Sequence, residues 1–222
     1  VEISSMRILE NEYFGIYLEG SNHKIKDCFV ADNNSAGIIL SGDNHLVQNC
    51  NVSQNSNTGI SFGNDTNIVK NCRLYKNGLS GINNGGLVVG CTAEENAGTG
   101  IYANKAKDNI SSNNGYRGIF AETAIGNQCN QNGHDGIYFK RIAKDNECLN
   151  NAQSGIYVTQ SGAVITGNTC RDNTNHGILA DCSAVIVQNG CFSNNGCGIS
   201  TSLHCVVKEN ACFGNNNGDI EC

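Results

Sequence analysis

The sequence predicts an all-β solenoid: a single-stranded right-handed parallel β-helix of about eleven coils of 18–22 residues, extending over residues 1–222. Three observations predict it: a motif repeated eleven times, apolar positions that alternate as in strands, and columns of like residues when the repeats are aligned. The motif is N-x-x-x-G-I. Gly-Ile stands at 15/16, 37/38, 59/60, 81/82, 100/101, 118/119, 136/137, 155/156, 177/178 and 198/199, Asp219-Ile220 closes the series, and an Asn lies four residues before each, from Asn11 to Asn215. The steps are 22, 22, 22, 19, 18, 18, 19, 22, 21 and 21 residues. Units this short cannot each hold a strand, a helix and a second strand, so they must stack on their neighbours to bury an apolar face. Leucine-rich repeats share the period, but their L-x-x-L-x-L pattern is missing.

Composition fits a body made of turns and short strands, with 27 Gly, no Pro, no Trp and only 15% charged residues. A net charge of −6 and the lack of a dense Lys/Arg block argue against a nucleic-acid face. No apolar run approaches the length of a membrane span, and Val1 opens no basic-then-apolar leader. The expectation is a soluble chain, with room for it to be a segment of a longer protein.

The elements of one unit follow in order. The bend carrying N-x-x-x-G suits residues that tolerate left-handed backbone, which Asn does, or that have no side chain to clash, as in Gly. The Ile after it faces inward, so the next residue faces out. Further along, nine and seven residues before each Gly, two columns share one face of a second strand. The first reads Met6, Cys28, Cys50, Cys72, Cys91, then Asn109, Asn127, Asn146, Asn168, Asn189 and Asn210; the second runs from Ile8 to Ser111 and then Cys129, Cys148, Cys170, Cys191 and Cys212. These are predicted interior ladders at the strand spacing of about 4.8 Å, with the Asn amides bonded from coil to coil. They place nine of the 13 Cys in the core, as repeat periods rather than the C-x-x-C spacing of a zinc site. Cys182, Cys197, Cys205 and Cys222 fall outside the ladders, and their pairing is open.

With N-x-x-x-G-I and the ladders, the whole chain resembles the right-handed parallel β-helix repeat proteins of the pectate-lyase-like superfamily, especially NosD-like and CASH-type repeats. The resemblance implies carbohydrate-binding or polysaccharide-processing activity, as in polysaccharide lyases, glycoside hydrolases and uronan epimerases, or a structural or protein-interaction solenoid without catalysis. It also implies a secreted or cell-surface location.

Chemistry is expected on the outward column after Ile, where Tyr102, Phe120, Tyr138 and Tyr157 form an aromatic stripe over four consecutive coils, spanning about 14 Å. Flat rings with a polar edge suit the faces of sugars; cross-strand stacking or a covering protein are the competing explanations. One flanking column gives Arg117, Asp135, Ser154 and His176, the other Asn104, Glu122, Lys140, Thr159 and Asp181. Arg117/Asp135 and Glu122/Lys140 are expected as surface ion pairs. Glu122 and Asp181 stand three coils apart, about 14 Å, too far for a glycosidase carboxylate pair. A lyase or epimerase needs a base and a cation to neutralise a uronate, and Asp135, His134, Lys140, Arg117 and His176 are the groups available, with Arg141 beside them. The D-P-H-[DE] motif of uronan epimerases is not met by Gly133-His134-Asp135. No cofactor is expected; the alternative is a weak calcium site of Asp108, Asp145 and Glu147 on another face, with Asp108 and Asp145 about 9.6 Å apart. The expected partner is a polysaccharide or oligosaccharide, with no nucleic acid and no membrane. The unpaired strand edges at the solenoid's ends also favour end-to-end or side-by-side self-association.

Overall fold

The computed structural model describes residues 1–202 and 204–221. Its described strands form an eleven-stranded sheet, one strand per coil from Arg7–Leu9 to Ala211–Phe213, and an eighteen-stranded sheet holding the Gly-Ile strands and those that precede the first corner. All pairs are parallel. Tyr102 pairs with Phe120 and Cys129 with Cys148, so the register equals the sequence repeat. One apolar column fills the interior from Ile16 to Ile199, with Phe139 wholly buried. The Ile of every Gly-Ile pair from Ile16 to Ile199 is buried and the residue after it is at least partly exposed, as the alternation requires.

The N-x-x-x-G segment differs from expectation. Its Asn residues are interior, and from Asn33 to Asn194 they are at most 1% exposed. Asn132 is representative. Its Oδ1 accepts Asn114 N–H (3.2 Å) and Asn114 Nδ2 (3.0 Å), and its Nδ2 donates to Ser111 O and Asn151 Oδ1, both at 3.0 Å. Left-handed backbone falls instead on the residue before each Asn: Gln54, Lys76, Glu95, Asn113, Gln131, Asn150 and Asp172 have φ near +55°. Nor do the motif's glycines adopt positive φ. They are required by close approach, since a Cβ on Gly118 would lie 2.6 Å from Gly136 O and 2.7 Å from Asn132 Nδ2. The corner thus turns on a left-handed residue that aims the following Asn inward, and Gly leaves room for the amide of the next coil's Asn.

The other corner repeats the device. Asp27, Asn49, Asn71, Asp108 and Asp145 have positive φ, and each precedes a ladder residue. In the first coils the ladder is Cys, whose Sγ takes the N–H from the coil before: Cys50 N to Cys72 Sγ and Cys72 N to Cys91 Sγ are both 3.4 Å. At the switch, Cys91 N donates to Asn109 Oδ1 at 2.9 Å, and the Asn ladder continues through Asn127, Asn146, Asn168, Asn189 and Asn210. Cys and Asn interchange because each supplies an acceptor to a buried backbone donor. The nine ladder cysteines are free thiols, as are Cys182 and Cys205; Cys222 lies outside the described residues.

Coil length has a direct consequence. In the 22-residue coils a loop divides two strands, as between Ile60–Phe62 and Ile68–Lys70. In the four units of 18 or 19 residues the loop is gone, and Ile82–Val89, Ile101–Lys107, Ile119–Ile125 and Ile137–Lys144 run as single long strands.

A buried histidine pair sits in the first coils. His45 is 1% exposed and its ring stacks on His23 at 5.0 Å. Its Nδ1 accepts the His23 N–H at 3.2 Å, and its Nε2 is buried with no hydrogen-bond partner. Burial first, and then His23, hold the His45 pKa below the usual imidazole range. The unfolded chain therefore binds more protons here than the folded one, so stability is full above the unfolded value of about 6.5 and falls as pH drops through it. Urea midpoints measured between about pH 7.5 and pH 5.5 should fall on acidification, and His45→Gln should flatten that slope.

Candidate functional site

The aromatic row forms as the register dictates. Tyr102 and Phe120 stack at 4.7 Å with planes 6° apart, Phe120 meets Tyr138 edge-on at 5.0 Å, and Tyr138 meets Tyr157 edge-on at 5.4 Å. None of the four rings is buried. Tyr138 shares a hydrogen bond with Thr159 Oγ1 at 2.8 Å, and Tyr157 donates to Asp181 Oδ2 at 3.0 Å. Burial, followed by the bond to Asp181, pushes the Tyr157 phenol up to about 12. It is thus a hydrogen-bond donor at neutral pH and not a base.

The first flanking column is corrected by the structure. Asp135 and Ser154 are 2% and 1% exposed rather than outward-facing, because the strand turns into the corner just before Gly-Ile. Asp135 is the hub of a cluster: Oδ2 receives His134 Nδ1 at 2.8 Å and lies 3.4 Å from Arg117 Nε, while Oδ1 accepts Ser154 N–H at 3.3 Å. The Arg117 guanidinium then lies over the rings of Tyr138 at 4.3 Å and Tyr116 at 4.9 Å. Arg117/Asp135 is therefore a largely buried ion pair that orients both partners, and not the surface pair expected. His134, with a side chain 33% exposed, is the accessible titratable group of the cluster. His176 stands two coils beyond and accepts Cys197 N–H on Nδ1 at 3.1 Å.

The second flanking column is an open floor. No ion pair joins Glu122 to Lys140 among the described residues, a second correction; the Lys140 ammonium lies instead 5.6 Å from the Phe120 ring centre. Glu122 and Lys140 line two adjoining depressions. One reaches from Lys140 past Phe120, Tyr102 and Asn104 to Asp65, the other past Arg141 and Ile142 to Gln160, Ser161 and Gly162. Asp181 stands away from these two, tied to Tyr157.

The calcium alternative does not come together. Asp108 and Asp145 are left-handed corner residues, φ +53° each, paired with their neighbours Lys107 and Lys144 at 3.5 and 3.8 Å. No group of three or more His, Cys, Asp or Glu gathers among the described residues. Sequence reasoning missed two contributors. Tyr116 lies tilted against His134 at 4.7 Å and shares its column, a pairing that the 18-residue step already contains. Asp65 enters from a loop two coils away, and only the change in step from 22 to 19 points to it.

A parallel β-solenoid with a partly exposed aromatic row beside one buried carboxylate, Asp135, sets the fold class, and likeness to known proteins extends it. The model of the right-handed β-helix region matches residues 14–124, and the chain belongs to that family. No curated protein sequence matches it. Solved structures share the fold. The A-module of the mannuronan C-5 epimerase AlgE4 of Azotobacter vinelandii has a TM-score of 0.63 at 11% identity, over 97% of this chain and 78% of that one. The periplasmic alginate epimerase AlgG gives 0.63 at 13%, over 95% and 74%. The catalytic unit of a thermostable GH87 α-1,3-glucanase from Streptomyces thermodiastaticus gives 0.53 at 12%, over 94% and 49%.

Proposed function

We propose that this protein binds a polysaccharide along its open face and processes it there, with Tyr102, Phe120, Tyr138 and Tyr157 as the stacking platform. The observation that carries the reading is the row of four partly exposed rings in register on consecutive coils. Rings so placed offer partly exposed apolar surface to successive sugars. The buried Asp135 orients His134 for proton transfer, and Arg117 and Lys140 supply positive charge where negative charge would develop. This favours proton abstraction over a two-carboxylate hydrolysis, since Glu122 and Asp181 lie on coils too far apart for that geometry. The polysaccharide-processing proteins of similar fold support the reading in kind. A non-catalytic interaction solenoid is the second reading, favoured by one observation: Ile142, Val164, Val185 and Val206 form an outward aliphatic row, with Val206 44% exposed.

A glycan array separates the two. The native chain should retain a polysaccharide, and replacing Tyr102, Phe120, Tyr138 and Tyr157 together by Ala should weaken binding by about 2 kcal/mol or more, roughly thirtyfold. A folded native chain that retains no glycan would withdraw the reading in favour of the second.

A further inference from the structure

We infer that the recess beside the aromatic row is closed at both ends, and that the loop carrying Asp65 limits the saccharide it accepts to about three units. The inference rests on the reading that this face binds a saccharide.

The four long strands provide the floor. Loops survive only in the coils on either side, so the segment 63–67 stands at one end and 159–162 at the other. The first loop leans over the floor. Asn104 Nδ2 donates to Asp65 Oδ2 at 3.2 Å across 39 residues, which is two coils. The lean is built into the backbone: a Cβ on Gly86 would lie 2.0 Å from Asp65 O and 2.7 Å from Asn67 O, so only glycine lets the loop lie down there. Asp43 Oδ1 ties the loop back by accepting from Asn64 Nδ2 at 2.6 Å and Thr66 Oγ1 at 3.1 Å, which makes it a fixed wall. The far loop is held by Gly162 N–H to Ser183 O at 2.8 Å and by Thr159 to Tyr138.

Asp65 reaches Asn104 and so covers the first long strand; from that contact to the far loop run Ile101–Lys107, Ile119–Ile125 and Ile137–Lys144, three coils at about 4.8 Å each, close to the advance of one pyranose along an extended chain. Glu122, Lys140 and Arg141 face this space without ion-pair partners among the described residues, so they are free to meet hydroxyl or carboxylate groups of a ligand. Asp65 and Asn104 are thus specificity-determining residues at the closed end.

Titration calorimetry of the full chain with size-graded oligosaccharides of mannuronan and of α-1,3-glucan, about two to eight units long, tests this. Affinity should rise several-fold per unit up to about three and then level off. Deleting Asn64, Asp65 and Thr66 turns a 22-residue unit into one of 19, a length that neighbouring units already fold with, and should move the plateau to longer chains. Should that variant fail to fold, Asp65→Ala serves in its place. Affinity of the native chain that climbs steadily to the longest oligomer, or an unmoved plateau in a folded variant, would overturn the inference and leave saccharide binding standing. Failure of both series to bind at any length would overturn saccharide binding itself.

Discussion

Replacing Asn151 by alanine is expected to destabilise the solenoid by about 3–6 kcal/mol, whereas the same change at Asn150, one residue earlier, should cost only about 1 kcal/mol. Asn151 is fully buried in the corner ladder. Its Oδ1 accepts Asn132 N–H at 3.1 Å and Asn132 Nδ2 at 3.0 Å, and its Nδ2 donates to Cys129 O and Asn173 Oδ1, both at 3.0 Å. Alanine leaves several of these groups unpaired in an interior where each buried orphan costs about 1–3 kcal/mol, and it leaves a cavity as well. Asn150 is exposed with φ +54°, so its substitution forfeits only a tolerance for left-handed backbone. Asn151→Asp should be nearly as damaging as alanine, because a carboxylate keeps the acceptor and loses both donations. Urea unfolding followed by far-UV circular dichroism reads all three variants. Equal midpoints for Asn150→Ala and Asn151→Ala would sink the account of the ladder.

That contrast shows how far the sequence carried. The repeat N-x-x-x-G-I located every coil, and the alternation placed Ile inside and Tyr102 through Tyr157 outside, because both signals depend on spacing alone. The reason for the motif was misread. Asn and Gly are familiar in left-handed turns, yet the left-handed positions here hold Gln54, Lys76, Glu95 and Gln131, types with no such signature. Those residues are held at positive φ by the ladder that follows, a tertiary constraint with no local mark. The same limit applies at the site. Columns placed Arg117 and Asp135 side by side, but a strand bend put Asp135 inside, and contact between Asp65 and Asn104 across two coils could not be read from any one repeat. Step length held the missing clue, since the shortest units mark where a loop has been lost and a floor exposed.

Gly136→Ala is expected to cost about 3–5 kcal/mol, although the glycine's backbone is one that alanine adopts freely. A Cβ at this position would lie 2.7 Å from Gly155 O, 2.8 Å from Asn151 Nδ2 and 3.1 Å from Cys148 Cβ. Two of these belong to groups that cannot retreat: a carbonyl in the parallel pairing of coils, and a ladder amide whose hydrogen bonds run to both neighbouring coils. Relief therefore requires shifting a coil or breaking the amide's bonds, so the cost of overpacking adds to that of an unpaired buried group. Gly162 is the control for stability, with φ +84° and open space for 4 Å around the place a Cβ would take. Gly162→Ala should cost only the left-handed penalty of about 1–2 kcal/mol. If turn conformation were what the motif's glycines provide, Gly162→Ala would be the worse of the two; the ordering of the two unfolding midpoints decides between conformation and space. Gly136→Ala should also reach the site, because Asp135 precedes it and Ile137 leads into Tyr138. A folded Gly136→Ala chain is expected to lose affinity on the glycan array, with Asn150→Ala, on an exposed corner outside the recess, unchanged there.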